Sequence, residues 1–99
     1  MKLTELEPRW IHPNMFMFRC PHCRNALLTC KNIVMPFTEQ HRLFEQALGE
    51  DWNLLVVGCK DEMAWAFSGQ DFATLSVTPS LDASASDHWH GCITNGEVS

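Results

Sequence analysis

The chain has 99 residues, 45% of them hydrophobic and 19% charged, and its 7 Lys+Arg against 12 Asp+Glu give a formal net charge of −5. That balance excludes wholesale disorder, and no apolar stretch is long enough for a helical membrane span. An acidic chain is a poor non-specific ligand for nucleic acid or anionic membrane, since both are themselves negative. Met1 to Trp10 is acidic and lacks the apolar core of a secretory signal, which points to a single cytoplasmic domain over residues 1–99.

Residues 1–14 carry Pro8 and Pro13 and read as an extended arm, pinned to the core by Trp10 and Ile11. Met15–Arg19 is a short apolar run that reads as a strand leading into Cys20, and Ala26–Lys31 reads as the returning strand. Pro36 interrupts the chain beyond that strand. Thr38 is a candidate N-cap with Glu39 behind it, Leu43, Phe44, Ala47 and Leu48 fall at helical spacing, and Gly49 stands where a C′ glycine belongs. The expected helix is therefore 38–48. Its apolar stripe suits core packing better than a partner groove.

Leu54–Cys59 is a continuous apolar run, and Lys60-Asp61-Glu62 a polar turn. Met63, Trp65 and Phe67 alternate with small residues, the period-2 pattern of a half-buried strand. Gly69-Gln70-Asp71 turns again, and Ala73–Val77 is a further strand. Thr78–Asp87, rich in Pro, Ser and Asp, reads as loop. His88–Thr94 reads as the last strand, with Asn95-Gly96 as a turn signal. The sum is an α+β domain with a small antiparallel β-sheet, a zinc knuckle and one main helix.

The chemistry lies in the cysteines and histidines. Five cysteines (20, 23, 30, 59 and 92) in a chain without an export signal argue against a disulfide framework. Cys20-Pro21-His22-Cys23 has the C-x-x-C spacing that points two thiolates from one tight turn at one ion. A thioredoxin-like redox pair shares the spacing but normally opens a helix after a strand, whereas a turn and a strand are expected here. His88-Trp89-His90 places two imidazoles on one face of a strand, roughly 6.5–7 Å apart along it. Cys20, Cys23, His88 and His90 would close a tetrahedron around one structural zinc, with Cys92 as a substitute ligand on the same face. His12, His22 and His41 have no such geometry and read as ordinary surface or half-buried histidines. A metal joining residues near 20 to residues near 90 would close a long loop and help a small core.

The motifs carry a resemblance. Met15 through Cys23, then Thr78 through Ser84, then His88 through Glu97, together with Trp65, Ser68 and Gly69, resemble a family of small bacterial and bacteriophage zinc-binding proteins without a known biochemical role. The resemblance spans nearly the whole chain and is most specific at its two ends. It implies a zinc-binding fold. Association of some relatives with ubiquitin-like conjugation genes implies protein binding. Similar sequences sometimes carry the label ammonia monooxygenase. The residues give it no support, since that enzyme is embedded in the membrane and thiolates with imidazoles favour zinc over a mononuclear copper oxidase site.

A closed zinc leaves no position for water. The nucleobase-deaminase pattern, the H-E-x-x-H helix and the JAMM-type isopeptidase pattern are all missing. The leading expectation is thus a non-enzymatic, zinc-stabilised module of phage or prophage type that binds a host or phage protein. An acidic inhibitor of a host defence complex is one form of it. One alternative is a nucleic-acid-binding zinc knuckle using Arg19, Arg24 and Lys31 among the nearby aromatics. Another is a zinc-dependent hydrolase or nuclease, in which His90 is not a ligand and Asp87 serves as base beside Ser84 and Asp82.

Overall fold

The structure is a computed structural model that describes residues 1–49, 55–82 and 89–99. A 3-10 helix at Leu3–Leu6 precedes β1 (Arg9–His12), β2 (Met15–Arg19), β3 (Ala26–Lys31), α1 (Phe37–Leu48), β4 (Leu55–Val57), β5 (Ala66–Ser68), β6 (Ser76–Asp82), β7 (His90–Thr94) and β8 (Glu97–Val98). The strands form two four-stranded sheets, β1-β2-β3-β4 and β5-β6-β7-β8, rather than the one sheet expected. All pairs are antiparallel except β3 with β4. That parallel pair is joined through α1, because parallel neighbours need a crossover where antiparallel ones need only a turn.

The first sheet is the middle of three layers. On one face of β2, Phe16 and Phe18 pack with Leu28 and Cys30 of β3 against Val77, Leu81 and Ile93 of the second sheet. On the other, Met15, Met17 and Leu27 pack against Leu43, Phe44 and Leu48 of α1. A strand buried on both faces has no use for alternation, which is why 15–18 are apolar without a break. In the second sheet one face is solvated, and Val77 pairs with Ile93 on the inner side.

Several expectations change. The arm over 1–14 is not simply extended: Leu3 and Leu6 are fully buried in the inter-sheet core, and β1 pairs with β2. Trp10 stays 47% exposed, yet stacks on Phe72 at 5.2 Å and meets Phe16 edge-on at 5.4 Å. The helix starts at Phe37 with Pro36 as N-cap residue, so Thr38 falls inside the first turn. The cap comes from far away in sequence: the Phe37 N–H donates to Asp61 Oδ1 at 2.9 Å. Gly49 does end the helix, at φ +57°, its N–H donating to the Glu45 carbonyl at 2.9 Å. β6 runs on through 78–82, where a loop was expected. Its register shifts between Val77 and Leu81, and Pro79 sits within that irregularity, where a residue without an N–H is tolerated in a sheet. The remainder of that expected loop, 83–87, the expected strand start at His88 and the first residue of the apolar run, Leu54, lie outside the described residues.

The 58–65 segment is fastened by buried polar groups. Lys31 ends β3 fully buried, and its ammonium donates to the carbonyls of Ile33 at 3.2 Å, Asp61 at 3.1 Å and Met63. Gln40 of α1, also fully buried, donates to the carbonyls of Met35 at 3.0 Å and Cys59 at 2.9 Å, and accepts from the Cys59 N–H at 2.9 Å. Both side chains replace hydrogen bonds that a strand ladder would otherwise supply. No helix among the described residues is long and apolar enough to cross a membrane.

Truncating Lys31→Ala leaves three carbonyls without their charged donor and is expected to cost about 3 kcal/mol in urea unfolding. The buried thiols of the same core make stability depend on pH. Burial pushes the thiols of Cys30 and Cys59 above the ordinary value of 9.0, and Cys59 adds to the effect on Cys30. Unfolded thiols ionise above that value while the buried ones stay protonated. Their stabilisation is therefore complete below it and is lost as pH rises beyond it. Stability should fall by up to about 1.4 kcal/mol per pH unit for each thiol. Urea midpoints measured from about pH 8 to pH 10 check this, and Cys30→Val should remove one thiol's share of the slope.

Candidate metal centre

The knuckle forms where β2 gives way to β3. The Cys20 N–H donates to the Ala26 carbonyl at 2.8 Å, and the Arg24 N–H donates to the Cys20 carbonyl at 2.9 Å. Arg24 takes φ +59°, in the left-handed region, to bring the chain back into β3. The turn leaves Cys20 fully buried, Cys23 half-buried and packed against the inter-sheet core, and His22 exposed.

Burial alone would raise the Cys20 thiol. Hydrogen bonds from the backbone amides of Cys23, His22 and Trp89, with the Cys23 side chain added, outweigh it and hold the thiol below its usual value. Amides aimed at a sulfur favour the thiolate, the form that binds metal. The Trp89 amide belongs to the opposite end of the chain. Trp89 stands between the two histidines of the H-x-H pattern and packs against the cluster that holds Cys20.

Packing fixes the same junction. The Trp89 ring meets Phe18 edge-on, with centroids 6.0 Å apart and planes at 85°. Phe18 is two residues before Cys20, so the aromatic contact and the amide contact hold one corner. Gly91 makes room for it. A Cβ there would lie 1.9 Å from the Ser99 carbonyl oxygen and 2.6 Å from the Trp89 ring.

The structure therefore brings Cys20, Cys23 and the Trp89 backbone together. Among the described residues no three His, Cys, Asp or Glu side chains cluster as a metal site. His90 is exposed on β7, on the face it shares with Cys92, while Ile93 turns inward. β7 begins at His90 rather than His88, and His88, Ser84 and Asp87 lie outside the described residues. Two sulfurs with amide support fit zinc, and they would be half of a tetrahedral set.

The basic residues near the knuckle are differently placed. Arg19 pairs through Nε with Glu7 and donates through Nη1 to the Arg24 carbonyl at 3.0 Å. The Arg19 hydrogen bond and charge hold the Glu7 carboxyl below its usual value. Arg24 is exposed, with Nη2 3.7 Å from the Met1 sulfur. Lys31 is buried, and its ammonium is spent on carbonyls, so it is not available to a phosphate. The residue that sequence reasoning missed is Trp89. Its position between two candidate ligands was the available signal.

Replacing Gly91→Ala should force the Trp89 ring off its seat. The expected result is a loss of stability of about 1–3 kcal/mol and a changed indole fluorescence that a Trp89→Phe background lacks.

Comparison with protein-family models, with curated proteins and with solved structures found no match to this chain.

Proposed function

We propose that this chain is a zinc-stabilised, non-enzymatic module that acts by binding another protein. One observation carries the zinc: Trp89, flanked by His88 and His90, packs with Cys23 against the core cluster that holds Cys20, its ring edge-on to Phe18 at 6.0 Å. The ligands in this reading are Cys20, Cys23, His88 and His90, with Cys92 as the substitute. When bound, the ion would supply a cross-link and two positive charges that neutralise the two thiolates. The chain's own part is to hold both sulfurs on one turn and to seat Trp89 on Phe18 beside them. With four protein donors the ion has no position for a reacting water, which is why the module is read as non-enzymatic.

The net charge of −5 supports a protein partner with a basic surface, since opposite charge speeds and selects such encounters. The motif resemblance suggests a phage or prophage setting, where a nucleic-acid-handling defence complex is a partner of that kind. The nucleic-acid alternative loses Lys31 to the core, and Arg19 is engaged with Glu7. The hydrolase alternative would need three protein ligands and a bound water.

Elemental analysis of purified protein tests the reading, with about one zinc per chain expected. Cys23→Ser and His88→Ala should both abolish retention. Loss of zinc in His90→Ala but not in Cys92→Ala would assign the fourth ligand to His90. Protein that purifies metal-free and is no more stable with added zinc overturns the proposal. Recovery of no protein from host lysate, with unchanged activity of candidate defence complexes, would count against the partner.

A further inference from the structure

The geometry points to β4 as the pairing edge of a homodimer, in which two copies of this chain join their β1-β2-β3-β4 sheets antiparallel across a two-fold axis at Val56. The inference is independent of the zinc and of the partner proposed above.

A strand at the end of a sheet presents a row of unpaired N–H and C=O groups, and natural edges are guarded by charge, proline, a bulge or a cover. Among the described residues, three of the four sheet edges are guarded or polar. β1 starts with Arg9, is flanked by Pro8 and Pro13, and shifts register between Trp10 and His12. The outer side of β8 is taken by the start of the chain: Lys2 bridges Glu97, and the Val98 N–H donates to the Met1 carbonyl at 2.7 Å. β5 exposes only Ala66 and Ser68, while Phe67 turns in against Trp10 and Phe16.

β4 differs from all three. It ends its sheet and pairs, among the described residues, with β3 alone. Leu54 through Cys59 holds no charge and no proline, and the β3–β4 register runs without a shift. Leu55 is 61% exposed, with Val56 and Val57 half-buried beside it. Phe37, 50% exposed, lies over Gly58, where a Cβ would stand 2.7 Å from its Cε2. Apolar surface therefore borders the open backbone on both faces of the edge.

Alternation and charge name the occupant. An open edge is matched by extended backbone, and a second copy offers the same edge in self-complementary form. Antiparallel pairing centred on Val56 sets Leu55 of each copy opposite Val57 of the other, on the inter-sheet face. The longer exposed side chain meets the shorter one twice. On the α1 face Val56 meets its own counterpart, and Phe37 above Gly58 flanks that pair. Two chains of net charge −5 can meet along an uncharged strand without setting like charges opposite each other. A basic partner finds no charge to pair with there. So short a strand makes a small contact, and the dimer is one that forms as concentration rises.

Sedimentation equilibrium of the full chain, from micromolar to near-millimolar concentration, tests this. The expected mass rises with concentration toward twice that of one chain. Hydrogen exchange at the amides of Leu55, Val56 and Val57 should slow over the same range, which a contact through side chains alone would not produce. Leu55→Lys places a charge on the edge at an exposed position, and is expected to leave a monomer throughout with an unchanged urea midpoint. A wild-type chain that stays monomeric overturns the inference, and so does a dimer that forms equally in Leu55→Lys. A dimer whose 55–57 amides exchange as fast as in the monomer overturns it too, and this readout needs no variant to fold.

Discussion

Phe16 and Phe18 on one face of β2, with Met15 and Met17 on the other, leave that strand no solvent face, and the three-layer arrangement is the consequence. An apolar strand of this kind must be covered twice. The second sheet covers one side and α1 the other. With β3 also buried along its length, the first sheet becomes the shared wall of two hydrophobic cores. A small chain gains from this, because each apolar residue of the central sheet contributes to a core without a second element having to be built for it.

Burying a sheet on both faces raises a problem for the segments that cross its edge. Their backbone groups need partners away from water. Lys31 and Gln40 meet that need from inside, and Asp61 connects them. Its carbonyl accepts from Lys31 and from the Met35 N–H, while its carboxylate accepts from the start of α1. The residues that look least like core in composition are thus the ones that position the helix and the 58–65 crossing.

The knuckle stands at the other end of the same wall, where β2 runs out of apolar residues and turns. Phe18 belongs to the inter-sheet core, and Trp89 leans on it from the second sheet. The candidate metal centre is therefore where the two sheets are fastened at one corner. An ion there would add a covalent-like tie to a contact otherwise made by one ring pair and one amide.

Much of this was legible in the sequence. The apolar runs at 15–18 and 26–28 put strands in the right places, the spacing of Leu43, Phe44 and Leu48 marked the helix and its buried face, and the C-x-x-C spacing marked a turn with two adjacent sulfurs. These are local: side-chain periodicity and turn geometry are set by neighbours within a few residues. The tertiary structure decided what depends on distant partners. Leu3 and Leu6 looked like part of an arm until the second sheet gave them a core to enter. Thr38 looked like a cap until Asp61, far along the chain, supplied one. Lys31 looked like a surface cation until three carbonyls converged on it. Whether Pro79 ended β6 depended on the register with β7, and whether Cys20 met the far end of the chain depended on how the two sheets stack. A residue's type limits which contacts it can make; which of them it makes is fixed by groups that only folding brings near.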